Sequence, residues 1–205
     1  MNIKLNLVNQ SNDDANTPVV IFQQNQATGF IEPPIAWKVI KNCGQGDNHP
    51  FVFPMQMQVG GNDSYGNFTP LQNAAPGQAF EMTLTSEGDV LRAAGDATSP
   101  AQVQVRNDLS QGAIGASIYK DGRKLALNPV IVPQHLAAFQ FKPTIWVGAV
   151  AQVNEGEVLD SAILSEVDTE LHLSGVSSAD IVMRGGGSGA QALPFTFSLE
   201  NVVMA

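Results

Sequence analysis

Two polar segments carry the side chains best suited to bind a ligand. They are KNCGQGDNHP, residues 41–50, and GGNDSYGNFTP, residues 60–70. The candidate binding residues are Asp47, Asn48, His49, Asp63, Tyr65, Asn67 and Phe68. Their carboxylate and amide groups could hydrogen-bond to a carbohydrate while the aromatic rings stack on it, or their oxygens could bind calcium weakly. The competing interpretation is that these Asp and Asn residues only stabilise their own turns.

The histidines and the cysteine do not form a catalytic or metal-binding motif. The sequence has three histidines and one cysteine, with no His-x-x-x-His or Cys-x-x-Cys spacing. A tight zinc or iron site therefore finds no support, and no Gly-x-Ser-x-Gly elbow precedes a helix. We predict no catalytic residues, no metal ligands and no cofactor beyond the weak calcium alternative. A hydrolase that uses His49 with Asp47 or Asp63 is kept as an alternative.

A glycine run in MRGGGSGAQALPF, residues 183–195, raises the question of phosphate binding. It lacks the Gly-Lys-Ser/Thr ending of a P-loop, and a strand-like segment follows it instead of a helix. The segment LRAAGDATSPAQV, residues 91–103, has a similar layout, with an arginine before the loop and a proline after it. The glycine run is therefore predicted to connect strands.

The charge balance narrows the range of partners. The 205 residues carry a formal net charge of −9, with only ten Lys and Arg. Nucleic acid is excluded as a partner because phosphate contacts need clustered basic side chains. No apolar run approaches the length of a membrane span, and the first residues lack the apolar region of a signal peptide. We expect a cytoplasmic protein, or one exported without an N-terminal signal peptide.

The elements that must position these residues are short strands. Apolar residues alternate with polar ones in many segments, for example at Ile3, Leu5 and Leu7 and at Phe80, Met82 and Leu84. Turn residues bound these segments, and Asp121-Gly122 is typical of a tight type I′ hairpin. The pattern predicts an all-β protein, an antiparallel β-sandwich held together without disulfides.

One segment has the periodicity of a helix. Leu159, Ile163 and Val167 recur every four residues, and Asn154 with Glu157 resembles a capping box. This pattern predicts a short surface helix near residues 156–168.

Five pairs of segments resemble each other in the same order along the chain. They are 7–11 with 105–110, 21–26 with 118–123, 51–60 with 139–148, 88–92 with 179–184, and 100–107 with 194–201. Such self-similarity indicates an internal duplication. We predict two similar, closely packed sandwich units, 1–104 and 105–205, with about nine extra residues of the first copy lying within 41–50.

The sequence favours a non-enzymatic protein that acts by binding or self-assembly. Its partner would be a carbohydrate or a protein, including a second copy of itself as a homo-oligomer. The first alternative is a membrane-acting, toxin-like β protein in which a hairpin or residues 148–175 rearrange on lipid, and membrane contact is expected only in that case. The hydrolase is the second alternative.

Overall fold

The structure is a computed structural model that describes residues 2–27, 32–167 and 169–205. This part of the chain is all-β, as predicted, with sixteen strands in four four-stranded sheets and one short α-helix, α1 (Ser161–Glu166). The first eight strands are β1 (Asn2–Asn9), β2 (Val19–Phe22), β3 (Lys38–Ile40), β4 (Asn48–Pro54), β5 (Met57–Asn62), β6 (Gln72–Ala74), β7 (Gln78–Thr85) and β8 (Gly88–Asp96). The others are β9 (Val103–Asn107), β10 (Ile114–Lys120), β11 (Arg123–Ile131), β12 (Leu136–Phe139), β13 (Thr144–Ala149), β14 (Thr169–His172), β15 (Val176–Gly186) and β16 (Leu193–Met204).

The predicted alternation and the predicted hairpin are both present. Every second residue of β1 is buried from Ile3 onward, as expected for a strand with one face in a core. Asp121 and Gly122 join β10 to β11 with φ angles of 52° and 71°, the positive values that a type I′ turn requires. Leu84 departs from the pattern because β7 reaches the end of its hairpin there, beyond the core, and its side chain is exposed.

The chain divides into two compact units, and neither is a continuous stretch. Unit 1 consists of Met1–Gln24, Pro33–Met55 and Pro143–Ala205, and unit 2 consists of Asn25–Glu32 and Gln56–Lys142. This division differs from the expected tandem units 1–104 and 105–205. The reason is strand pairing between distant parts of the chain: β1 pairs with β15, and β5 pairs with β10.

Unit 1 contains two sheets with the strand orders β16-β15-β1-β4 and β14-β13-β2-β3. All of their strand pairs are antiparallel except β1 with β15, which run parallel. Contacts of β16 with β13 and β14 join the two sheets in a sandwich-like arrangement. One buried apolar cluster contains Val20, Phe22, Ala36, Val150, Val153, Leu159 and Val167.

Helix α1 is shorter than the predicted segment and lies inside it. Its N-cap is Asp160, whose side-chain Oδ1 accepts a hydrogen bond from the Ile163 N–H at 2.9 Å. Asn154 and Glu157 form one bond of the predicted capping box, from the Asn154 N–H to Glu157 Oε2 at 2.9 Å, but this bond lies in a turn before the helix begins and does not cap α1. Leu159 and Val167, on either side of the helix, are buried in the apolar cluster of unit 1.

Unit 2 contains the sheets β12-β9-β7-β8 and β11-β10-β5-β6, with β7 and β9 as its parallel pair. A segment of the β2–β3 connection also belongs to this unit, where Asn25 Nδ2 donates to the Ala138 carbonyl at 3.0 Å. Strands β2 and β3 are joined by a long connection, whereas β10 and β11 are joined by a two-residue turn. The placement of about nine extra residues of a first copy within 41–50 depends on a duplication and stays a prediction.

The glycine run ends β15 at Gly186 and continues into the connection to β16, so it lies at a strand connection as predicted. Gly185 and Gly186 have φ angles of 92° and 73°. A Cβ on Gly185 would lie 2.9 Å from the carbonyl carbon of Pro194, so only glycine fits there. In the segment compared with it, residues 91–103, the connection between β8 and β9 is residues 97–102. Within the described residues, no helix combines the length and the apolar character needed to cross a bilayer.

Candidate functional site

The loop after β5 is built around one carboxylate. Asp63 Oδ1 accepts hydrogen bonds from the backbone N–H groups of Tyr65 and Asn67, both at 2.9 Å. Asp63 Oδ2 accepts a further bond from Asn67 Nδ2 at 2.7 Å. The hydrogen bond from Asn67, together with the backbone donors, holds the pKa of Asp63 below its ordinary value. Asp63 and Asn67 therefore shape the loop, as the competing interpretation of these residues holds.

This arrangement presents two aromatic rings to solvent. Tyr65 is 89% exposed and Phe68 is 75% exposed. Between them Gly66 takes a φ of 86°, which lets the chain reverse direction before Phe68 bridges back to Asn62. Large apolar surfaces exposed side by side mark binding sites more often than single ones do. The loop, held by the hydrogen bonds to Asp63, therefore presents two aromatic rings at the surface.

Two cavities, each of about 460 Å³, share Tyr65 and Asp63 in their walls. The first cavity is lined by Asp63, Ser64, Tyr65, Leu84, Asp89, Leu109, Ser110, Gln111, Gly112 and Ala113. The second is lined by Asp63, Tyr65, Asn67, Phe68, Thr69, Met82, Glu87, Gly88 and Asp89. Both are open to solvent on one side. All of these residues belong to unit 2, and we call them together the Tyr65 site.

The other walls of the Tyr65 site come from two further connections of unit 2. The β7–β8 hairpin supplies Leu84, Glu87 and Asp89, and its tip is closed by a hydrogen bond from Thr85 Oγ1 to the Gly88 carbonyl at 2.9 Å. The loop after β9 is fixed by buried Asn107, whose Nδ2 donates to the Gly112 carbonyl at 2.9 Å. Both walls contain local hydrogen bonds that hold the chain in its turn.

Sequence reasoning found the aromatic loop but missed these walls. The parallel pairing of β7 with β9 brings the β7–β8 tip and the loop after β9 to the same end of a sheet. Pairing between distant strands leaves no local pattern that could have revealed this. One local signal pointed to the β7–β8 wall. Leu84 continues the alternating apolar positions of β7, but it lies at a hairpin tip where no core covers it.

The charge of the Tyr65 site is negative. Asp63, Glu87 and Asp89 contribute carboxylates to the lining, and none of the described lining residues is Lys, Arg or His. Carboxylates accept hydrogen bonds from hydroxyl and amino groups and repel anions. The site therefore suits a neutral or cationic ligand with polar groups and an apolar face.

The remaining predicted residues, Asp47, Asn48 and His49, belong to unit 1 and line neither cavity. Asp47 Oδ2 accepts the Gly44 N–H at 2.9 Å, and Asn48 Oδ1 accepts a bond from Asn6 Nδ2 at 3.4 Å. His49 lies on β4, and its buried Nε2 has no hydrogen-bond partner. The geometry thus contains no His49–Asp47 hydrogen bond of the kind a hydrolase would use.

The described residues contain no group of three or more His, Cys, Asp or Glu side chains able to hold a metal ion. The described lining of the Tyr65 site combines aromatic, carboxylate, amide and hydroxyl side chains. Comparisons with protein-family models, with curated proteins and with solved structures found no match to this chain.

Proposed function

We propose that this protein is a non-enzymatic binding protein and that the Tyr65 site takes a carbohydrate. The observation that carries the proposal is the pair of exposed rings, Tyr65 and Phe68, beside two cavities lined by carboxylates, amides and hydroxyls. Sugars have apolar C–H faces and polar edges, so they match a surface that alternates rings with hydrogen-bonding groups. An aromatic side chain also loses little conformational entropy when it binds.

The lining favours some sugars over others. With three carboxylates and no basic side chain among the described lining residues, sialylated, sulfated or phosphorylated glycans would meet repulsion. Neutral sugars would be accepted, and amino sugars with a free ammonium group would gain an electrostatic attraction. An ammonium group near Tyr65 would add a cation–π contact.

A glycan array with neutral, amino and anionic glycans tests the proposal. We expect binding to neutral or amino glycans, and Tyr65→Ala should weaken the affinity for the best glycan by about tenfold, measured by titration calorimetry. Leu193→Ala is the matched control, since Leu193 is also an exposed large side chain but lies in unit 1. Binding only to anionic glycans, no binding at all, or equal losses in the two variants would overturn the proposal.

A further inference from the structure

The two units share one strand topology. The sheet β16-β15-β1-β4 of unit 1 matches the sheet β8-β7-β9-β12 of unit 2, and each has its parallel pair at the centre. The sheets β14-β13-β2-β3 and β6-β5-β10-β11 also match, with antiparallel pairs only. In this match each strand from β1 to β8 corresponds to the strand eight places later in the chain.

Buried asparagines support the correspondence of β1 with β9. Asn9 and Asn107 end these strands, both are fully buried, and the side-chain oxygen of each accepts the N–H two residues later. Asn9 Nδ2 donates to the Cys43 carbonyl at 2.6 Å, after β3, and Asn107 Nδ2 donates to the Ile131 carbonyl at 2.8 Å, at the end of β11. Because β3 corresponds to β11 in the strand match, the hydrogen bonds of Asn9 and Asn107 link equivalent strands.

Close glycine contacts support the correspondence of β5 with β13. Gly60 on β5 and Gly148 on β13 are the two glycines of the matching Val-Gly pairs. A Cβ on Gly60 would lie 2.7 Å from Leu71 Cδ2, and one on Gly148 would lie 2.9 Å from Val167 Cβ. Leu71 and Val167 precede the equivalent strands β6 and β14. Each glycine therefore makes room for a side chain from the connection that follows it.

Three of the five resembling segment pairs agree with this correspondence. They join β1 with β9, β2 with β10, and the β4–β5 region with the β12–β13 region. The other two pairs join β8 with β15 and β9 with β16, which are not equivalent strands. Their resemblance reflects strand chemistry that recurs throughout the chain.

Each unit combines strands from both eight-strand sets, β1–β8 and β9–β16. Unit 1 contains β1–β4 and β13–β16, whereas unit 2 contains β5–β12. Each unit thus takes the first four strands of one eight-strand set and the last four of the other. Neither set, residues 2–96 or residues 103–204, can complete a unit from its own strands in this arrangement.

We propose that these two sets are copies of one duplicated unit that have exchanged halves within the chain, and that the same exchange joins two chains. A second copy of the protein would then supply β1–β4 to β13–β16 of the first chain, and the reverse. The strand pairs in the exchanged dimer are the pairs of the monomer, so the two states differ little in contacts. Exchange of identical elements is a low-cost route to a dimer.

The connection between β4 and β5 is the hinge that such an exchange would use. Only Met55 and Gln56 lie between Pro54, which ends β4, and Met57, which begins β5. The chain passes from unit 1 to unit 2 at residues 55 and 56, as it also does at residues 24 and 25. A short connection between two units is the kind of segment at which exchange takes place. Within one chain the covalent link raises the effective concentration of β1–β4 near β13–β16, which favours the monomer at low protein concentration. The exchanged dimer should therefore increase with protein concentration.

Engineered disulfides across β1 and β15 can detect the exchange. Lys4 and Ser178 are register partners on these strands, and adjacent strands lie close enough for a disulfide. One chain would carry Lys4→Cys and the other Ser178→Cys, both with Cys43→Ala. The two chains are unfolded, mixed, refolded at increasing concentration and oxidised. We expect a covalent dimer of twice the 21.7 kDa chain mass, in a yield that rises with concentration.

Two controls fix the interpretation. A single chain with both Lys4→Cys and Ser178→Cys should form an internal disulfide, which tests the register itself. Glu170→Cys replaces Ser178→Cys in an off-register mixture, because Glu170 is exposed on β14 in the other sheet of unit 1. That mixture should give several-fold less covalent dimer than the register pair.

Covalent dimer from the register pair above the off-register background supports exchange, and light scattering of the refolded wild type should show the same dimer mass. An internal disulfide in the single chain with no dimer in the mixture overturns the proposal. If the Lys4 pair fails to close even within one chain, Asn6→Cys with Asp180→Cys repeats the test, since Asn6 Nδ2 lies 3.1 Å from Asp180 Oδ1. Failure of this pair to give a mixed dimer, with a monomeric wild type, also overturns it.

Discussion

The connection from β5 to β6 and the connection from β13 to β14 occupy the same topological position in the two units. In unit 2 this connection is the short loop 63–71, which raises Tyr65 and Phe68 into solvent. In unit 1 it is the longer segment 150–168, which contains α1 and contributes Val150, Val153, Leu159 and Val167 to a buried cluster.

The difference separates scaffold from site. The strand pattern is common to both units, so the pattern alone does not determine what a unit does. In unit 1 the connection is long enough to place apolar side chains in the core, and their burial stabilises the unit. In unit 2 it adds almost none, and the end of the sheet stays open for the two cavities of the Tyr65 site. Substitutions in the unit 1 connection should therefore lower the free energy of unfolding, whereas substitutions in the unit 2 connection should weaken ligand binding and leave stability almost unchanged.

The largest effect is expected from Leu159→Ala. Leu159 is fully buried in the apolar cluster of unit 1, so the substitution should lower the free energy of unfolding by about 2–5 kcal/mol. Its neighbour Val158 is half exposed and gives the matched control, for which about 0.5 kcal/mol is expected for Val158→Ala. Urea denaturation followed by circular dichroism measures both. Equal losses would mean that the helical connection is not part of the core.

A smaller effect should distinguish the equivalent glycines. Gly148→Ala should cost about 1–3 kcal/mol, because the new methyl group meets the buried, β-branched Val167. Gly60→Ala should cost less, because Leu71 is partly exposed and the end of its flexible side chain can move away. The same denaturation experiment compares them. A larger cost for Gly60→Ala would contradict the view that the unit 1 connection is the more tightly packed one.

A third difference concerns a buried polar side chain in each unit. Lys120 ends β10, and Gln23 follows the equivalent strand β2; both are buried. Burial lowers the pKa of Lys120 to about 7 from 10.5. Between these two pH values the unfolded chain binds more protons at this site than the folded chain does. Stability should therefore rise with pH in this window, by up to about 1.4 kcal/mol per pH unit.

Lys120→Gln, which introduces the side chain that unit 1 has, removes this contribution. Denaturation at several pH values from 7 to 10 should show a stability difference, wild type minus variant, that increases with pH. Lys4→Gln provides the control, because it removes the same charge from an exposed lysine. A pH-independent difference for Lys120→Gln would show that this lysine is not desolvated.

The smallest effect on stability is expected in the loop of unit 2. Tyr65→Ala removes a side chain that is 89% exposed, so the free energy of unfolding should change by less than about 0.5 kcal/mol. The same variant should weaken glycan binding, which is the reverse of the profile expected for Leu159→Ala. A loss of stability comparable to that of Leu159→Ala would remove the contrast between the two connections.

Much of the fold could be predicted from local patterns. Alternation identified strands such as β1, Asp121-Gly122 identified a hairpin, and the recurrence of Leu159, Ile163 and Val167 located α1. These features depend on neighbours in sequence. The residue at which α1 begins was harder to predict, because Asn154 and Asp160 are both good capping residues. Only the position of Leu159 in the core decides between them.

The candidate site was predicted only in part for a related reason. Asp63, Tyr65, Asn67 and Phe68 lie within one loop, so their proximity follows from the sequence. Leu84, Asp89 and the loop after β9 join them only through the parallel pairing of β7 and β9. Parallel partners are far apart in sequence, and no local spacing encodes which strands will meet.

The assignment of strands to units also sets an order of events during synthesis. All strands of unit 2 have left the ribosome once Phe139 has emerged, whereas unit 1 has to wait for β15 and β16. Until then β1 lacks its parallel neighbour, and its apolar residues Ile3, Leu5 and Leu7 have no finished core to enter. Pairing across such a sequence separation is slow and leaves strand edges exposed. During synthesis β1 therefore keeps an unpaired edge for longer than any strand of unit 2 does.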